Sequence, residues 1–109
     1  MNNILIIFPS WEERSILGFQ RDIEQQNLDK IFLFRFENSA HPKETDKSIS
    51  EIKHTCLNKN IIIDDVIIPN AEVEKWRKLE EFTKELDVNN NILIDITTMP
   101  RSIIWTLFF

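Results

Sequence analysis

The chain has 109 residues, of which 42% are hydrophobic and 28% charged, and its formal net charge is −5. This length and composition are typical of one globular domain with one modest core. The acidic balance excludes the basic footprint that binding to double-stranded nucleic acid requires.

Cysteine, histidine and apolar-run counts exclude further classes of protein. The single cysteine, Cys56, rules out an intrachain disulfide and a cysteine-based metal cluster, and two scattered histidines, His41 and His54, argue against a structural zinc. No apolar run approaches the roughly 18–20 residues of a membrane span, and the N-terminal run is too short for a signal peptide. We therefore expect a cytoplasmic protein that binds no metal and no membrane and carries no cofactor.

The first three predicted elements are a strand, a helix and a strand. Residues 4–8 form a continuous apolar run, which predicts a strand covered on both faces. The next segment predicts a helix, with Ser10 and Glu13 as a capping box at its start. Lys30–Phe36 predicts the second strand. The apolar residues of the helix at helical spacing are Ile16, Phe19 and Ile23.

The middle of the chain predicts a second helix, a third strand and a third helix. The second helix is expected after a polar connection at residues 38–47, with Ile49, Ile52 and Cys56 on one face. In residues 61–68 two aspartates interrupt an apolar run and leave open which half is the strand proper; we favour residues 66–68, with residues 61–63 leading in. Asp64 and Asp65 are expected to face opposite sides, either in a solvated bend, which we favour, or with one carboxylate at the rim of a ligand crevice. The third helix is the clearest in the chain, and we expect Asn70 to cap it. Its apolar stripe comprises Val73, Trp76, Leu79, Phe82 and Leu86.

The last two elements complete an alternating βα pattern. Residues 92–96 predict a fourth strand, and the closing segment begins a helix with Pro100 in its first turn. Strict alternation predicts a three-layer, Rossmann-like α/β domain with a mainly parallel sheet and helices on both faces. The expected strand order is 3-2-1-4. We expect residues 1–109 to form one domain, either a whole protein or the N-terminal part of a longer one.

In such a sheet the first and fourth strands are neighbours, and ligands bind outside their carboxyl ends. The loop after each of these strands carries hydroxyl residues at the start of a helix and one arginine. Free amide groups, the helix dipole and a guanidinium favour an anion such as a phosphate. The candidate ligand-binding residues are Ser10, Trp11, Arg14, Thr97, Thr98 and Arg101.

Most of these residues also have an ordinary structural interpretation. Ser10 and Thr98 suit helix capping, Trp11 suits packing, and either arginine could form ion pairs with nearby acids, among them Asp95. Asp95 itself is expected near the end of the fourth strand. It is interpreted either as an acceptor that holds a neighbouring loop or as the acid or base of an enzyme. The only glycine, Gly18, falls in mid-helix, so the chain has no dinucleotide fingerprint and no P-loop.

In its order of elements and in these two loops, the chain resembles the CRISPR-associated Rossmann-fold sensor domains. The matching stretches are Ser10-Trp11 and residues 97–101, although Met99-Pro100 stands where the family commonly has glycine. The resemblance implies a sensor of cyclic oligoadenylates in prokaryotic antiviral defence, with a pocket lined by two copies of the domain. It also implies fusion to a C-terminal effector.

The final helix is apolar nearly all round, which predicts an interface with a second copy or another protein. The residues expected there are Ile103, Trp105, Leu107 and Phe108. Three functions follow from these patterns. The first is a sensor of a nucleotide or another phosphorylated small molecule, the second is a nucleotide- or phosphodiester-processing enzyme using Asp95, and the third is an oligomerising scaffold.

Overall fold

The computed structural model describes residues 2–10, 13–38, 41–87, 89–96 and 98–108, apart from the side chains of residues 13, 14, 106 and 108. Strands and helices alternate throughout this part of the chain. They are β1 Asn3–Ile7, α1 Glu13–Gln25, β2 Lys30–Phe36, α2 Pro42–Asn58, β3 Ile62–Ile68, α3 Glu72–Glu85, β4 Asn91–Ile94 and α4 Arg101–Phe108. The strands form one parallel sheet in the order β3-β2-β1-β4, which confirms the predicted Rossmann-like fold.

Two apolar layers cover the two faces of the sheet. Alternate residues of β1 point to opposite faces, so Leu5 lies in the layer under α1 and α2 while Ile6 lies in the layer under α3 and α4. Both side chains are fully buried. Because β1 is covered on both faces, its buried residues are apolar without alternation, which explains the continuous apolar run in the sequence.

Strand β3 runs unbroken through Asp64 and Asp65, so the expected bend at these residues is wrong. Lys30 Nζ of β2 lies 2.8 Å from Asp64 Oδ2, and Lys53 Nζ of α2 lies 3.0 Å from Asp65 Oδ2. Each aspartate thus has a lysine partner on its own face of the sheet. Because β3 is an edge strand, these charges also disfavour pairing with another chain.

Helix α2 begins at Pro42, inside the segment that was expected to be a polar connection. Proline is well suited to the first turn of a helix because an N–H group at that position would have no acceptor within the helix. The predicted buried face is confirmed, with Ile49, Ile52 and Cys56 all buried. Burial raises the pKa of the Cys56 thiol to about 11.

Helix α3 buries only the second half of its predicted apolar stripe. Leu79 and Phe82 are buried, whereas Val73 and Trp76 are 63% and 46% exposed. The buried face at the start of the helix is occupied by Lys75, whose Nζ lies 2.9 Å from Glu72 Oε1. A lysine can cover apolar surface with its stem while its ammonium group reaches a carboxylate at the rim.

Helix α4 packs part of its apolar surface against the chain's own core. Ile103 is fully buried in the layer shared with α3, and Ile104 and Leu107 are half-buried against the same layer. The expectation that Ile103 forms an intermolecular interface is therefore wrong, because this side chain belongs to the chain's own core. Trp105 is 55% exposed, and the side chain of Phe108 lies outside the described residues.

None of the described helices is long enough and apolar enough to cross a bilayer, which needs about 20 residues.

Asn70 bridges two loops and does not cap α3. The residue at the cap position is Ala71, and no side chain bonds to the helix start there. The Oδ1 atom of Asn70 accepts a hydrogen bond from the Asn38 N–H at 2.9 Å, and its Nδ2 donates to the Asn38 carbonyl at 3.3 Å. Asn70 thus ties the loop after β2 to the loop after β3.

We predict that Asn70→Asp lowers the free energy of unfolding by about 0.5–1.5 kcal/mol, because aspartate cannot donate to the Asn38 carbonyl. As a helix cap, aspartate would serve as well as asparagine, so no loss would indicate capping. Urea unfolding measures the difference. Asn38→Ala is the matched control, since only backbone atoms of Asn38 take part in the two bonds.

Candidate functional site at the carboxyl ends of β1 and β4

The loops that follow β1 and β4 meet, as the strand order predicts. The Thr98 hydroxyl donates a hydrogen bond to the Phe8 carbonyl at 2.6 Å. The Asp95 N–H donates to the Ile6 carbonyl at 3.0 Å, so pairing with β1 continues one residue beyond the end of β4. Two hydrogen bonds therefore join the β1 and β4 segments at the point where the sheet reverses its winding.

The first loop is held to the helix that it precedes. The Ser10 N–H donates to Ser15 Oγ at 3.1 Å, and Ser15 is buried. Ser10 itself is half-buried. The proposed capping box with Glu13 stays a prediction, since that side chain lies outside the described residues, as do Trp11 and the side chain of Arg14.

The second loop leads directly into α4. Met99 is buried, and the Pro100 carbonyl accepts hydrogen bonds from the N–H groups of Ile103 and Ile104. Arg101 is the first residue of α4, and it is exposed. Among the described residues no carboxylate forms an ion pair with it. Thr97 lies outside the described residues, so its predicted role is untested.

A buried acidic pair lies beside this edge of the sheet. Asp95 follows β4, Asp22 lies on α1, and the side chain of each is only 8% exposed. The two carboxyl groups are hydrogen-bonded to each other. Arg21 approaches both, with Nε 3.8 Å from Asp22 Oδ1 and Nη2 3.8 Å from Asp95 Oδ2.

Burial, the hydrogen bond to Asp95 and the negative charge of Asp95 together raise the pKa of Asp22 from 3.8 to about 7, and burial is the largest of these causes. Arg21 opposes this shift. The physical cause is that two carboxylates in contact cannot both ionise at low cost, so the pair retains a proton. Oδ2 of Asp22 is buried and has no hydrogen-bond partner among the described residues.

The burial of Asp22 could have been predicted from its spacing in the sequence. Ser15, Phe19 and Asp22 are spaced four and three residues apart, and all three are buried. They therefore lie on one face of α1, and an aspartate on that face must have a partner. Of the arginines with described side chains, it is Arg21 and not Arg101 that pairs with Asp95.

No family model, curated protein or solved structure matches this chain. Among the described residues, no three histidine, cysteine, aspartate or glutamate side chains come together as a metal site would require.

We predict that Thr98→Val lowers the free energy of unfolding by about 1–2 kcal/mol, because the Phe8 carbonyl loses its hydroxyl donor. Thr83→Val is the matched control. The Thr83 hydroxyl donates at 2.9 Å to the Leu79 carbonyl within α3, where the helix already provides an N–H donor. Thermal or urea unfolding compares the two variants, and equal losses would contradict a special role for the contact between the loops.

Proposed function

We propose that this chain is a sensing module that binds a nucleotide or another phosphorylated small molecule at the carboxyl ends of β1 and β4. The observation that supports this proposal best is the bond between Thr98 and the Phe8 carbonyl. It holds the two loops together at the reversal point, which is where open α/β sheets bind ligands. The ligand would be a cytoplasmic one.

The charges near these loops suit an anion. Both α1 and α4 begin immediately after the joined loops, so two helix N-termini carry partial positive charge towards the same edge. Arg101 is exposed at the start of α4 and is available for a forked contact to phosphate. Arg14, the second residue of α1, would supply a similar contact from the other loop.

A groove elsewhere on the described chain is less suited to phosphate. A groove of about 510 Å³ lies between α1 and α2, and its lining includes Glu44, Glu51 and Lys47. Two carboxylates beside one ammonium group give this groove a net negative charge, which disfavours a phosphorylated ligand. The joined loops therefore remain the better candidate site.

The resemblance to CRISPR-associated Rossmann-fold sensors makes the proposal more specific. On that basis the ligand would be a cyclic oligoadenylate, two copies of the chain would line the pocket, and the signal would serve antiviral defence. Ser10 and Trp11 from one loop, with Thr97, Thr98 and Arg101 from the other, would contact the ligand.

We predict that ATP or a cyclic oligoadenylate raises the melting temperature of the chain and that Arg101→Ala weakens this binding about 10- to 100-fold. This is the range expected for losing a charge-assisted hydrogen bond. Arg77→Ala is the matched control, since Arg77 is an exposed arginine on α3, away from the joined loops. Calorimetric titration with AMP, ADP, ATP and cyclic adenylates measures the affinities. Binding that Arg101→Ala leaves intact would contradict the assignment.

A second candidate is an enzyme that acts on a nucleotide or phosphodiester. The observation that favours it is the buried Asp22–Asp95 pair, since a carboxyl group with a pKa near neutrality can both donate and accept a proton. Chromatography of the same titration mixtures distinguishes the two functions. A sensor leaves the nucleotide unchanged, whereas an enzyme forms a product and Asp95→Asn stops its formation.

A third element of the proposal is assembly with a second copy through the α4 side of the molecule. Large apolar side chains are exposed in the segment that leads into α4, at Ile96, and on α4 itself, at Trp105. Neither carries a charge, so contact between two acidic chains at this surface adds no direct repulsion. The scaffold function would use the same surface with no ligand in the cleft.

We predict that Trp105→Asp shifts the chain towards the monomer in light scattering at high concentration, because a carboxylate cannot be buried unpaired in an apolar contact. Trp76→Asp is the matched control, because Trp76 is a tryptophan of α3 with similar exposure, 46% against 55% for Trp105. A wild-type chain that is monomeric at high concentration would remove the assembly proposal.

A further inference from the structure

The acidic pair connects two elements that are also bridged by Arg21, whose guanidinium reaches Asp95 from α1. Asp22 belongs to α1, and Asp95 directly follows β4. We propose that Asp22 and Asp95 form a proton-dependent latch between α1 and the end of β4, closed while the two carboxyl groups share one proton and weakened when that proton leaves.

The described surroundings of Asp22 offer little compensation for a second negative charge in the pair. Among the described side chains of α1, Arg21 lies 3.8 Å from each carboxylate, and its side chain is 56% exposed. At that distance and exposure a guanidinium makes a screened ion pair, without the shorter contact of a strong hydrogen bond. Strand β1 presents Leu5 and Ile7 to this side of the sheet, and neither can solvate a charge.

The two protonation states differ in what they can bond. With one proton, a carboxyl group donates to the neighbouring carboxylate, and the pair carries a single negative charge. With none, no donor remains between the two groups, and like charges face each other in a poorly solvated site. Oδ2 of Asp22 then carries charge without a hydrogen-bond donor from any described residue.

The direction of the pH effect follows from the shifted pKa. Asp22 keeps its proton up to about pH 7 in the closed form but loses it near 3.8 once exposed to water. The closed form therefore becomes less stable as the pH rises from about 4 to about 7, and the loss ends above that range. Between pH 5.5 and 8.5 the linkage relation gives a loss of about 30-fold in the ratio of closed to open forms.

Opening of the latch would change the position of the two loops that form the proposed ligand site. Helix α1 begins at the loop after β1, and Asp95 precedes the loop that contains Thr98. Loss of the proton would therefore loosen one loop relative to the other. This control of ligand binding rests on the proposed function, whereas the latch itself does not.

Amide hydrogen exchange of the full chain without any ligand tests the latch. We expect amide protection in α1 and β4 of the wild-type chain to fall about 30-fold from pH 5.5 to 8.5, after correction for intrinsic exchange rates. In Asp22→Asn or Asp95→Asn the new amide donates to the remaining carboxylate at every pH. Both variants should keep the same protection at the two pH values.

Asp46→Asn is the matched control. Asp46 Oδ1 also lies 3.8 Å from an arginine, Arg35, but the aspartate side chain is 69% exposed. This variant should behave like the wild-type chain, and His41 and His54 remain in every variant, so any pH effect of theirs is common to all.

Equal wild-type protection at both pH values, or a wild-type loss that persists in the two Asn variants of the pair, would overturn the latch. Failure of ATP and the cyclic adenylates to bind would overturn the proposed function and leave this measurement unaffected.

Discussion

Strand β1 bonds to β2 on one side and to β4 on the other, and this central position constrains every other element. Its residues are buried from both faces, so the segment must be apolar and extended. Because α1 and α2 cover one face and α3 and α4 cover the other, the chain reverses its winding at β1. The polar loops at the carboxyl ends of β1 and β4 meet there, and Thr98 secures the meeting point.

The strand order and most of the core could be predicted from the sequence because both follow from local patterns. The run Lys30–Phe36 matches β2 residue for residue, and the buried face of α2 follows helical spacing. Strand β3 could not be predicted in full, since aspartate has a low strand propensity and the lysines that offset it come from β2 and α2. The role of Asn70 was missed for the same reason, because its partner Asn38 lies in another loop.

The candidate site was predictable in its location and not in its charges. The contact between the two loops follows from topology, which fixes where strands end. The pairing of Asp22 with Asp95 depends on how α1 lies against the edge of the sheet, which no local pattern encodes. The candidate site thus combines an exposed cationic group, Arg101, with a buried acidic pair.

The burial of Cys56 has a practical consequence for measuring how this molecule opens. It is the only thiol in the chain and has no exposed surface, and its raised pKa keeps it in the unreactive protonated form. An alkylating reagent reaches the sulfur only when α2 separates from the sheet. The rate at which an alkylating reagent labels Cys56 therefore reports how often α2 detaches from the sheet, and no probe has to be introduced.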